Sequence, residues 1–197
     1  MKIFLYIIGT LALVLLITQA FILKSSSKIE QHKYSVIKTY DSFEVRRYAK
    51  ALFSSVKLNE KSYEEVSGKG FRVLAGYIFG NNVGNEKIAM TSPVAMEIGD
   101  SSKMSFMVPA GYSLDNLPKP TDNKIYFEVK EEAIMAAIQF SGWASDEKIE
   151  EFKNKLISDL AKENLKFTGN FSYLGYNPPY EIFNRRNEIV VELVNFN

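Results

Sequence analysis

The sequence predicts an α+β fold: two ββαββ units in succession, combining into an eight-stranded, mainly antiparallel sheet or open barrel flanked by two helices and preceded by one N-terminal transmembrane helix. Three observations predict it. An uncharged apolar run fills residues 3 to 23 of the 197-residue chain. Phe43-Glu44-Val45-Arg46 recurs further on as Phe127-Glu128-Val129-Lys130. Around each copy, segments of strand-like pattern bracket one segment of helical period.

The apolar run comes first. Its only polar side chains are Thr10, Thr18 and Gln19, and as a helix rising about 1.5 Å per residue it spans roughly 31 Å, the thickness of a bilayer's hydrocarbon core. Residues 1–24 therefore read as an uncleaved anchor. The alternative is a cleaved signal, but Thr18-Gln19-Ala20 is a poor cleavage site and the run is longer than a signal core. Lys2 competes with Lys24, Lys28 and Lys33 for the positive-inside rule. A single-pass protein with an extracytoplasmic, periplasmic domain is expected from the N-terminal position of the run, or a secreted domain if the signal is cleaved. Residues 25–33 form a Lys/Ser-rich linker, and 34–197 one domain, with its first repeat at 34–110 and its second at 123–197.

Within the first repeat, residues 40–48 and 51–58 read as strands. A helix follows, starting at Ser62, where Ser62-Tyr63-Glu64-Glu65 fits a capping box; Val66, Phe71, Leu74, Tyr77 and Ile78 fall on one face. Strands are expected again at 87–98, interrupted by Pro93, and at 103–109. The second repeat begins with strands at 125–129 and 133–140, the latter nearly all apolar and so buried. Ser145 or Asp146 caps a helix whose Ile149, Phe152, Leu156 and Leu160 recur at spacings of three and four. Strands at 171–176 and 188–194 complete the unit.

Composition removes several kinds of chemistry. With 24 basic and 23 acidic residues the net charge is +1, which offers no footprint for nucleic acid. The chain has no cysteine, so disulfides, thiolate metal sites, thiol nucleophiles and lipoprotein anchoring are excluded. His32 is the only histidine; triads and multi-histidine metal sites are thereby excluded too, and in its polar segment it reads as an exposed juxtamembrane side chain. Glu64-Glu65, Glu131-Glu132 and Glu150-Glu151 are adjacent pairs that do not share a helical face, so they read as solvated surface rather than a general acid/base pair. No catalytic constellation emerges, and the chain reads as non-enzymatic.

Met90, Met96, Met104 and Met107 cluster after the loop at 80–86. Such a cluster is most often simply core, less often the lining of an adaptable apolar pocket, and least often a source of iron ligands. Tyr176-Asn177-Pro178-Pro179-Tyr180 is a stiff extended element. Arg185 and Arg186 follow it into the last strand, where pairing with the chain's own glutamates is expected.

These stretches share an order. Phe43-Glu44-Val45-Arg46-Arg47-Tyr48, Tyr77-Ile78-Phe79-Gly80, Lys87-Ile88-Ala89-Met90-Thr91-Ser92-Pro93-Val94, Phe140-Ser141-Gly142, Tyr176-Asn177-Pro178-Pro179 and Arg185-Arg186-Asn187-Glu188 together resemble the SOUL haem-binding family from about residue 34 to the end. The resemblance implies two ββαββ units and haem or another tetrapyrrole as ligand, in a surface groove beside the first helix of the domain. Apolar contacts would come from Phe71, Leu74, Ala75 and Ile78, with Met90 as pocket lining. The positions that resemblance expects to be basic fall on Gly68 and Gly76, so Lys69 and Arg72 would have to meet the propionates. Haem would bind without histidine ligation, because no histidine falls in the domain. The competing expectation is a membrane-tethered interaction or structural module whose groove takes another protein or a small apolar ligand, without haem.

Overall fold

The computed structural model describes residues 2–26, 29–98 and 102–196. Its first element is α1 (Lys2–Ser26), apolar on all sides. It is long and apolar enough to cross a membrane or to serve as a signal sequence. The domain then runs β1 (Glu30–Gln31), β2 (Tyr34–Thr39), β3 (Glu44–Tyr48), β4 (Ala51–Leu58), α2 (Tyr63–Ile78), β5 (Thr91–Ser92), β6 (Val94–Ile98), β7 (Ser102–Met107), β8 (Ile125–Lys130), β9 (Ala133–Ser141), α3 (Asp146–Lys162), β10 (Phe167–Gly175) and β11 (Arg186–Leu193).

Nine strands, not the expected eight, form the main sheet in the order β2-β3-β9-β11-β10-β6-β7-β4-β8. All its pairings are antiparallel. The extra strand is β2, an edge strand exposed along most of its length, which has no alternation of apolar residues to announce it. β1 and β5 pair separately, in parallel.

Connection lengths force the sheet to curl. β3 and β4 stand six places apart in the strand order, yet only residues 49 and 50 join them; β8 and β9 are also six places apart and joined by only 131 and 132. Six spacings in a flat sheet cover roughly 29 Å, whereas a two-residue link reaches about 11 Å. The two links face each other through Lys50–Glu131 at 2.9 Å and Arg47–Glu132 at 2.8 Å.

One face of the sheet carries both helices. α2 lies on β4 and β7, α3 on β9 and β11, and their N-termini meet where the Tyr63 N–H donates to Asp146 Oδ1 at 2.6 Å. Val45, Val56, Leu74, Tyr77, Met104, Ile138, Leu156, Leu160, Ile189 and Val191 are the interior of this layer. Each large apolar side chain removed from water there contributes about 1.5–3 kcal/mol.

The opposite face is also buried although no helix covers it, because the curl turns it inward. A small apolar cluster of Ala95, Ala137, Leu174 and Val190 lies here, next to an unusual polar group. Glu188 is fully buried. Its Oε1 accepts from Arg186 Nε and Nη2 at 2.9 and 2.7 Å, and its Oε2 from Arg46 Nη1 at 2.8 Å and the Tyr176 hydroxyl at 2.9 Å. Burial lowers the pKa of the Arg46 guanidinium, but the hydrogen bond and charge of Glu188 outweigh it and hold the group firmly charged. Tyr48 is pushed up to about 12, by burial first and then by the Glu188 charge. The expected internal pairing of the 185–186 arginines is thus found: Arg186 binds Glu188, while Arg185 Nη1 donates to the carbonyls of Pro178 and Glu181.

Two expectations change. His32 is not an exposed juxtamembrane residue: its ring lies against Tyr48 and Phe53, and its Nε2 bonds to the Ala49 carbonyl at 2.7 Å. A carbonyl only accepts, so Nε2 carries the proton. The strand expected from residue 87 begins only at Thr91, because residues 80–90 are committed to a loop organised by Asn82. The Asn82 Nδ2 donates to the carbonyls of Tyr77 and Glu86, and its Oδ1 accepts from the Glu86 N–H, all within 2.8–2.9 Å. Gly80 and Gly84 turn this loop at φ of +118° and +97°, values that side chains resist.

Candidate functional site

The helix start is written locally. Ser62 caps α2, accepting from the Glu65 N–H at 3.3 Å, and the Glu64 and Glu65 carboxylates sit favourably in its positive first turn. Further along, the helix meets the sheet closely at Gly70, where a Cβ would stand 2.9 Å from Leu58 Cδ1 and 3.0 Å from Met104. That contact fixes which side of α2 faces outward.

At 100° per residue, Glu65, Gly68, Lys69, Arg72, Gly76 and Phe79 share an outward arc of roughly 100°. All are exposed except the half-buried Gly76. Gly68 opens onto empty space, while a Cβ at Gly76 would meet Asn81 Nδ2 at 2.9 Å. Gly68 therefore leaves a low shelf beside Arg72, whereas the Asn81 side chain covers Gly76. Past the end of the helix, Phe79 and Val83 are 62% and 65% exposed, and the Val83 N–H is tied to the Lys119 carbonyl at 2.8 Å.

Lys69 and Arg72, three residues apart, share this shelf. Lys69 is paired with Glu60 at 2.7 Å, and that hydrogen bond raises its pKa. Arg72 makes no ion pair among the described residues. It is the open cation of the shelf.

The apolar residues expected to face a ligand are divided by depth. Leu74, Ala75 and Ile78 are buried in the main core, because the same spacing that places them on one face turns that face to β4 and β7. Phe71 is half-buried, its ring edge-on to Phe106 at 5.4 Å. Met90 is half-buried against the same core, two residues beyond Ile88, whose N–H donates to the Ile78 carbonyl at 2.8 Å. It lies outside any strand, whereas Met96 and Met104 are core residues. Phe79 and Val83 escaped the sequence reading. Their signal was present, as two large apolar residues in a loop otherwise polar.

Two concavities lie away from the shelf. One of about 320 Å³ opens between Lys57, Lys124 and Tyr126. The other, about 30 Å³, sits between the N-termini of α2 and α3 beside Tyr63, Met96 and Tyr173, too small for an organic ligand. Among the described residues no cluster of three His, Asp or Glu side chains could hold a metal ion.

The chain is 31% identical over 156 residues to Heme-binding protein 1 of Xenopus laevis, covering 75% of this chain and 82% of that one. It is 29% identical over 157 residues to Heme-binding protein 2 of Homo sapiens, covering 75% and 76%. Among solved structures, the C-terminal domain of EcmrR superposes with a TM-score of 0.62 at 8% identity, over 83% of this chain and 99% of that one. A hydrolase from Listeria innocua does so with 0.57 at 8% identity, over 80% and 94%. At such identities these two share the fold alone. Residues 29–192 match the family described as SOUL heme-binding protein, and the chain belongs to that family.

Proposed function

We propose that this chain is a non-enzymatic binder of haem or a related tetrapyrrole, tethered to a membrane by α1, with the macrocycle lying on the outward face of α2. The observation that carries the reading is the shelf itself, where Gly68 opens onto empty space beside Arg72, which makes no ion pair among the described residues. Family membership and the names of the relatives support the same ligand class. A flat, planar ligand needs an unobstructed floor, which Gly68 leaves. An anionic one needs a cation at the rim. Arg72 meets the first propionate, and Lys69 the second once it releases Glu60.

The apolar contact comes from Phe71 and Phe79, with Met90 and Val83 at the helix end; Leu74, Ala75 and Ile78 support the floor from below. His32 touches Tyr48 and Phe53 on the far side of the sheet, so a ligand on α2 is held without histidine ligation. Haem, when bound, would supply the iron and its colour; the residues on α2 supply orientation and charge.

Titrating residues 29–197 with haemin and following the Soret band tests the reading. A saturable shift at micromolar protein is expected, weakened two- to five-fold in Arg72→Ala, the worth of an exposed ion pair. A flat titration sinks the haem reading and leaves the same face as a docking surface for a protein or a small apolar ligand.

A further inference from the structure

We infer that the loop between β10 and β11, together with Trp143, is a second membrane contact that seats the domain on the bilayer α1 enters. The inference rests on reading α1 as an anchor, and begins with Gln19. The side chains along α1 for which burial is defined are exposed and mostly apolar, whereas Gln19 is buried. Its Nε2 donates to the Tyr180 carbonyl and its Oε1 accepts from the Ile182 N–H, both at 3.2 Å. An unpaired amide in a lipid-embedded helix is costly; here the loop satisfies both ends of it.

This clasp fixes depth. Gln19 stands four residues before Leu23, the end of the apolar run, or about 6 Å along the helix axis. A loop hydrogen-bonded to it reaches the boundary between headgroups and acyl chains.

The loop's composition suits that position. Tyr180, Ile182 and Phe183 point outward, Tyr180 being 62% exposed. Trp143, 56% exposed, comes from the turn between β9 and α3 and is tied to the loop by the Arg185 guanidinium, 4.1 Å over its ring. The loop's charges go the other way. Glu181 is buried, accepting from Asn177 Nδ2 at 2.8 Å, and Arg185 bonds to two carbonyls of the loop. Aromatic and apolar groups outward with charges turned in is the composition of the interfacial belt of membrane proteins.

Trp143 is the only tryptophan of the chain, so its fluorescence reports on this contact alone. The full chain would be reconstituted in phosphatidylcholine vesicles, plain or brominated near the top of the acyl chains. The expected result is flotation with the vesicles and loss of more than half of the Trp143 emission in brominated lipid, with most of the emission restored in Ile182→Ser/Phe183→Ser. Flotation without quenching overturns the inference and leaves the anchor standing. Quenching undiminished in the double variant overturns the role of the loop. Failure to float overturns both readings.

Discussion

Gly68 and Arg72 show how much one residue decides on the outward face of α2. A side chain at Gly68 meets nothing, so Gly68→Lys is expected to fold, to stabilise the helix by about 0.5–1 kcal/mol, and to weaken haemin binding by obstructing the open floor. Thermal unfolding and the Soret titration check the two effects separately. Gly76→Lys should not stabilise the helix, since its Cβ would press on Asn81 Nδ2 at 2.9 Å. Glu188 is decisive on the other face. Replacing it by Gln leaves Arg46 and Arg186 around an uncharged partner in a dry site, and a loss of about 3 kcal/mol is expected, measured by urea unfolding of residues 29–197. The pairing of Arg186 with a glutamate of the chain was legible from its neighbourhood. The participation of Arg46 was not, because it lies 142 residues from Glu188.

At the level of elements, local chemistry carried most of the information. Ser62 and Ser145 cap α2 and α3, and strand 51–58 stands where its strand-like pattern placed it. Capping and periodicity are short-range properties, and neighbours in sequence suffice to read them. Gly70 is different. It sits in the middle of an amphipathic helix, where glycine is ordinarily unfavourable, and only the approach of Leu58 and Met104 explains it. Gly70→Ala should therefore destabilise, by about 1–3 kcal/mol through overpacking, despite the higher helix propensity of Ala; a lowered melting temperature with helix content kept would confirm it. β2 escaped detection for the converse reason. An exposed edge strand is held by backbone pairing to β3, which leaves little trace in side-chain pattern.

For the molecule as a whole, curling brings distant segments into contact, and His32 reports on it. The ring joins Tyr48 on β3 to Phe53 on β4, strands six places apart in the sheet. Burial lowers its pKa, the Ala49 hydrogen bond opposing and the Lys130 charge assisting. Below about pH 6.5 the unfolded chain takes up the proton more readily than the folded one. Stability is thus complete above that value and falls as pH drops through the lowered folded pKa. The urea midpoint of residues 29–197 should decrease between pH 7.5 and 5.5, and His32→Gln should lose part of that decrease.

The sequence by itself determined the apolar N-terminal helix, the two capped helices, the α+β class and the family, since each is written in composition, period or short motifs. Tertiary structure alone decided which face of α2 is exposed and which is core, and which distant carboxylate Arg46 meets. It also decided that the one side-chain amide of α1, Gln19, is clasped by the 180–182 loop. These are contacts between residues far apart in the chain, and they exist only once the short links at 49–50 and 131–132 have forced the sheet to curl.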